Sequence, residues 1–178
     1  MKRREVKEKH EQAILDSFQR YIENKGKSFE VLDRPEPPDA IVLIDKEKVW
    51  IEITDVFLSK KLAESITSYV AEDIPHRPIS RKNRFVIEPH RSFSTILIDV
   101  ILKKYTKCSI GSVFRDNGSG ILIVGINTPF ANASELAIKE KDTVIFAINN
   151  YEPRFHTIYF YDPHSQDFSK IFNKVDNQ

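Results

Sequence analysis

The stretch PPDAIVLIDKEKVWIEITDVF, residues 37 to 57, constrains this chain more than any other. Ala40, Ile41, Val42, Leu43 and Ile44, followed by Val49, Trp50, Ile51 and Ile53, argue for two central strands joined by a turn at Asp45-Lys46-Glu47-Lys48. Central strands are expected to be apolar on both faces, yet Asp39, Glu52 and Thr54 interrupt these two. A two-residue turn at Lys46-Glu47 and a four-residue turn from Asp45 to Lys48 give one register, with Ile44 against Val49, Asp39 opposite Thr54 and Glu52 opposite Ile41. All three polar side chains then share a face, while Val49, Ile51 and Ile53 point to the other. Asp39 and Glu52 become diagonal neighbours, about 7–8 Å apart at the backbone and closer at their tips.

Two carboxylates at that range repel each other, and a low dielectric sharpens the conflict unless a proton or a cation is shared. A hard divalent cation resolves it. Oxygen-only ligation, with no Cys or His nearby, favours Mg²⁺ or Mn²⁺ over Zn²⁺. The competing reading is an edge hairpin whose Asp39 and Glu52 are solvated or paired with Arg or Lys and need no ion.

Pro38-Asp39, a spacer filled by one hairpin, and Glu52-Ile53-Thr54 resemble the motif of the PD-(D/E)XK nuclease superfamily, which is Pro-Asp, a spacer, then Asp or Glu, any residue, and Lys. Thr54 stands where that motif has its lysine. The resemblance implies a restriction-endonuclease-like fold in which Asp39 and Glu52 hold Mg²⁺ or Mn²⁺, often with the carbonyl of the residue after the Glu. In such families the lysine steadies the attacking water or the developing charge, and some members move it to the following helix. Lys60 and Lys61, just past the strand, are the candidates for that position, with Thr54 or Lys60 orienting the water. A Glu from the first helix often joins the metal site, which nominates Glu11 and then Glu8.

The rest of the chain supplies a setting for this pair. With 178 residues, it suits one domain, residues 1 to 178. A net charge of +1 does not mark a nucleic-acid binder, so the local distribution of charge has to carry that argument. Cys108 is the single cysteine, which excludes an internal disulfide and a thiolate zinc cluster, and a small buried or half-buried role is expected of it. MKRREVKEKHE has no apolar core for a signal peptide, and the run from Ile96 to Leu102 is too short to cross a membrane, so a cytoplasmic protein without a membrane partner is expected.

Arg3 to Asn24 reads as an amphipathic helix with Ile14, Leu15, Phe18, Tyr21 and Ile22 on one stripe; Glu11 lies on or beside it. Ser28 to Leu32 suits a first strand, followed by the stiff prolines 35, 37 and 38. Leu58 to Ala71 has helical spacing, as does Phe93 to Lys107, where Ile96, Leu97, Val100, Ile101 and Lys104 follow a Ser92 or Ser94 cap. Pro75 to Arg91 is the most basic connection, and its Arg77, Arg81, Lys82 and Arg84 suit contacts to a phosphate backbone. Charges on an edge strand at Arg84 to Ile87 are the alternative use of those residues. Ile121 to Ile126 reads as a buried strand, Ser134 to Asn149 as a capped helix, and Thr157 to Tyr161 as a strand parallel to the first of these. From Asp167 onward a short helix or a tail is expected. No Gly-x-Ser-x-Gly, His-Glu-x-x-His or phosphate-loop pattern occurs.

Together these features predict an α/β domain with a central mixed sheet of about five strands flanked by helices on both faces. The expected activity is metal-dependent hydrolysis of DNA phosphodiester bonds. A catalytically inactive module that keeps the fold and binds nucleic acid or a protein is the alternative. DNA is the expected partner, and pairing of two copies to cut both strands is left open.

Overall fold

The computed structural model describes residues 2–79, 89–128 and 131–173. Six strands form one sheet in chain order: β1 (Phe29–Asp33), β2 (Ala40–Ile44), β3 (Glu47–Phe57), β4 (Gly120–Asn127), β5 (Phe155–Asp162) and β6 (Asp167–Asn173). The three middle strands, β3, β4 and β5, are parallel, and the outer pairings are antiparallel. Parallel neighbours need long crossovers. The first contains α2 (Lys60–Val70), α3 (Pro89–Thr106) and α4 (Cys108–Asn117), and the second is α5 (Ala133–Ile148). The remaining helix, α1 (Arg3–Glu23), precedes the sheet.

Each face of the sheet carries its own core. Ile14, Leu15, Phe18 and Ile22 of α1 cover Val42, Ile51, Ile53, Ile121 and Ile123 on one side. On the other, Leu97 and Ile101 of α3, Ile110 of α4 and Val144 of α5 pack on Trp50, Val56, Leu122, Val124 and Phe160. Gly120 to Ile126 are all buried, as expected of a strand covered on both faces. Trp50 closes the second layer by lying on Gly120, where any Cβ would overlap the indole, and by donating its Nε1–H to the carbonyl of Gly118 at 2.8 Å.

The hairpin register differs from expectation. Ile44 pairs with Glu47 and Ala40 with Ile51, because the turn is the two-residue Asp45-Lys46, both with positive φ (51° and 71°). This left-handed turn matches strand twist, and Asp tolerates it well. Asp45 is held there by accepting the Ser28 N–H at 3.0 Å and by Lys27 at 3.3 Å. The register changes by two, so the residues of β2 and β3 keep their expected faces.

Other differences are local. The chain from Asp167 forms β6, a strand, because Phe168 and Ile171 alternate into the two cores beside β5. The helix expected from Phe93 begins at Pro89, so Ser94 lies inside it and donates to Glu140 at 2.6 Å. Asn132 caps α5, accepting the Glu135 N–H at 2.9 Å, in place of Ser134. Cys108 is exposed, not buried or half-buried as expected, at the start of α4, a helix beyond the Lys107 end expected for its predecessor. Among the described residues no helix is long and apolar enough to cross a membrane.

Candidate active site

The acidic pair forms where β2 runs out. Ala40 is the first residue of β2 and faces Ile51, so continuing the ladder by one step sets Asp39 against Glu52. Beyond that point β3 has no β2 backbone to pair with, and the Asp39 side chain takes over: its Oδ2 accepts the Ile53 N–H at 2.7 Å. A buried backbone donor thus gains a partner, and the carboxylate is fixed beside β3. Asp39 is 9% exposed and Glu52 only 2%.

Glu52 shares the face of Trp50 and Val56, under α3. Its Oε1 accepts from Lys104 Nζ at 2.6 Å, with Lys107 Nζ at 3.8 Å, and Lys104 also reaches the Ile53 carbonyl at 3.3 Å. Lys104 follows Leu97 and Ile101 along the packed stripe of α3, which carries its stem under the helix to the carboxylate. The second oxygen, Oε2, is buried and has no hydrogen-bond partner among the described residues. Burial pushes the Glu52 carboxyl above the usual carboxylate range; Lys104 opposes this, and Asp39 adds to it. Asp39 and Glu52 therefore feel each other's charge.

Glu11 approaches from α1 and is 9% exposed. Burial and then the charge of Asp39 raise its carboxyl, against the pull of Lys7 at 3.4 Å and Arg34 at 3.9 Å. Lys7 also pairs with Glu36 on the proline-rich connection. Burial draws the Lys7 ammonium down, but Glu36, Glu11 and Asp39 together carry it above its ordinary value. Arg34 ties the same connection to the site, donating from Nε to the Asp39 carbonyl at 3.3 Å and from Nη1 to Gln12 at 2.6 Å.

Asp55, one turn of the pleat beyond Ile53 and on the α1 face, forms a neighbouring cluster. It accepts from Asn127 Nδ2 at 2.9 Å and contacts His10 Nε2 at 2.7 Å. The Asp55 hydrogen bond holds His10 above its ordinary value, against the effect of burial.

Asp39 acts electrostatically on both Glu52, which lies under α3, and Glu11, which comes from α1; Glu11 and Glu52 approach it from different sides. Thr54 lies two residues beyond Glu52 on the same face and is half-buried. Of the lysines nominated just past the strand, Lys60 opens α2, its side chain falling outside what is described, and Lys61 is exposed; the ammonium on Glu52 is that of Lys104. Helix α3 passes directly over β3, which explains why a residue 52 positions away reaches Glu52. The signal was available in the sequence as a lysine on an otherwise apolar stripe.

Of the expected phosphate contacts, Arg77 lies 4.0 Å from Glu64 and donates its backbone N–H to Ser68 at 2.9 Å. Arg81, Lys82 and Arg84 lie outside the described residues. Among the described residues no three Asp, Glu, His or Cys side chains come together closely enough to hold a metal ion. Comparison with family models, with curated proteins and with solved structures finds no match to this chain.

Proposed function

We propose that this protein is a metal-dependent nuclease that hydrolyses DNA phosphodiester bonds at Asp39 and Glu52. The observation that carries this reading is Glu52 itself: a carboxylate 2% exposed, beside a second acid, with a lysine on one oxygen and the other oxygen buried without a partner among the described residues. A polar atom orphaned in that way is a costly feature unless something else binds it.

Asp39, Glu52 through Oε2, and the Ile53 carbonyl form an oxygen-only donor set suited to Mg²⁺ or Mn²⁺. Two carboxylates are enough for such an ion, because Mg²⁺ commonly completes its shell with water and substrate phosphate oxygens. When bound, the ion would supply charge to offset the phosphate and lower the pKa of a water. Lys104 would then do what the motif lysine does elsewhere, since its ammonium lies on Glu52 and the Ile53 carbonyl and offers a positive charge for an attacking water or a developing phosphorane. Glu11, with Lys7 and Arg34, borders Asp39 from α1 and orders that side of the site. Thr54 offers a neutral hydroxyl for positioning.

A second reading draws on the same contact. The ion pair of Glu52 with Lys104 also balances the buried charge without any metal, which suits a module that keeps the fold and has lost hydrolysis. Calorimetry with Mn²⁺ separates the two, because the nuclease binds the ion and loses it on Asp39→Asn, whereas the silent module binds none. Cleavage of plasmid and linear DNA with Mg²⁺ or Mn²⁺ is the direct test. Wild-type cutting that disappears in Glu52→Gln supports hydrolysis at this site, and equal cutting by both removes Glu52 from the reaction.

A further inference from the structure

The outer side of α5 carries the two most exposed large apolar side chains among the described residues, Ile138 at 84% and Phe146 at 80%. Single apolar residues on a surface are ordinary, but these two are related by the helix that bears them. Eight residues make just over two turns, so both lie on one side of α5, about 12 Å apart along its axis. Ile145, half-buried, follows Ile138 by seven residues and lies almost in line with it. The inward side of the helix is already used, since Leu136, Ala137, Val144 and Ile148 belong to the core. α5 is therefore apolar on a second side, which no packing within the chain requires.

The charges around this stripe say what fits it. Glu135 and Asp142 are acidic, Lys139 and Lys141 are basic, and all four are exposed. Lys139 lies 3.7 Å from the inward Glu140, whereas Lys141 and Asp142 have no ion-pair partner among the described residues. A surface of one sign would call for a partner of the other, but a row of acid, base, base and acid is complementary to its own copy turned end for end. With a two-fold axis beside Lys141 and Asp142, each Asp142 comes within one helical turn of Lys139 and Lys141 of the second copy. The same register brings Ile138 within a turn of Ile145 and Phe146 of the second copy. A parallel pairing would instead set lysine beside lysine and acid beside acid.

We infer that α5 is a self-association surface, through which two copies of this chain pair antiparallel about a two-fold axis. Ile138, Ile145 and Phe146 form its apolar contact, and Lys141 with Asp142 sets its direction. A helix of 16 residues is about 24 Å long, which makes a small interface, so the copies are expected to join and separate at micromolar concentration. This pairing needs neither metal nor DNA and stands apart from the hydrolytic reading.

Sedimentation equilibrium of the full chain, without metal or DNA, is the test, run from low micromolar to several hundred micromolar protein. The mass is expected to rise from one copy to two, with association weakened at least about tenfold by Phe146→Glu. Asp142→Lys, which changes only charge, should weaken it as well. Both positions are exposed, so the fold is kept. Tyr69→Ser on α2, at a site of similar exposure (79%), should leave association unchanged. In a Cys108→Ser chain, Asp142→Cys should link two copies by a disulfide on mild oxidation, as a residue beside a two-fold axis can. A chain that stays single at every concentration overturns the inference. So does an affinity unchanged by Phe146→Glu or by Asp142→Lys, association lost in Tyr69→Ser, or a dimer that Asp142→Cys does not link.

Discussion

Lys104 of α3 and Glu52 of β3, 52 positions apart in sequence, meet with Nζ 2.6 Å from Oε1. Their side chains are 18% and 3% exposed, so the pair is shielded from water and a lone charge left there would be expensive. Lys104→Met is expected to destabilise the protein by about 3–5 kcal/mol at neutral pH. The double variant with Glu52→Gln should recover much of that loss, since the unpaired charge of Glu52 is then gone. Urea unfolding of the four proteins in the cycle checks this, and simple additivity of the two single changes would show that the pair is not coupled.

Asp39 has a structural duty separable from any chemistry, because its carboxylate accepts the Ile53 N–H at 2.7 Å where β2 ends. Asp39→Ala leaves that donor buried and unpaired, at an expected cost of about 1–3 kcal/mol. Asp39→Asn keeps an acceptor and should retain most of the stability while losing the negative charge. If the alanine and asparagine variants unfold at the same denaturant concentration, the hydrogen bond is not what fixes this strand end.

The pH dependence of stability should carry the mark of His156. Burial holds its pKa below the ordinary 6.5, so the unfolded chain takes up the proton more readily than the folded one. Its contribution is fully present above 6.5 and is lost as pH falls through that value toward the folded pKa. His156→Gln should flatten this part of the stability profile, measured as denaturation midpoints between neutral and mildly acidic pH. In the alkaline range Tyr159, which burial pushes up to about 12, should ionise late in an ultraviolet titration of the folded protein.

Gly120 opens β4 directly beneath Trp50, and a methyl group there would overlap the indole ring. Gly120→Ala is expected to cost about 1–3 kcal/mol through forced displacement of Trp50. A loss of the Trp50 Nε1–H bond to Gly118 should accompany it, visible as a shifted indole resonance.

The architecture was legible wherever periodicity and burial agree. β4 reads as seven consecutive buried positions, and α1 keeps its apolar stripe from Ile14 to Ile22. The tail beyond Asp167 was harder, because its short alternation of Phe168 and Ile171 becomes a strand only through pairing with β5. Of the candidate site, Asp39, Glu52 and Glu11 could be nominated from the sequence, since acids on or beside apolar patterns are conspicuous. Their register was missed by two, because it depends on Lys46 taking a positive φ, which its residue type does not favour. The partner of Glu52 was missed for a different reason. Which helix crosses β3 is decided by three-dimensional packing, and Lys104 had been counted among the residues of an apolar stripe with no strand assigned beneath it. The contacts of Asp55 with His10 and Asn127 likewise join three separate elements and leave no trace in local spacing.

The chain holds one tryptophan, and it is buried on the side of the sheet that faces α3, α4 and α5. The rings of Phe18, Tyr21, Tyr159 and Phe168 gather on the opposite side, beneath α1. Indole emission and the ring resonances of Tyr21 and Tyr159 are therefore two spectroscopic reporters, one for each half of the molecule. Denaturation curves that coincide for the two signals describe a sheet that loses both coverings in one step, and curves that separate reveal which covering is shed first.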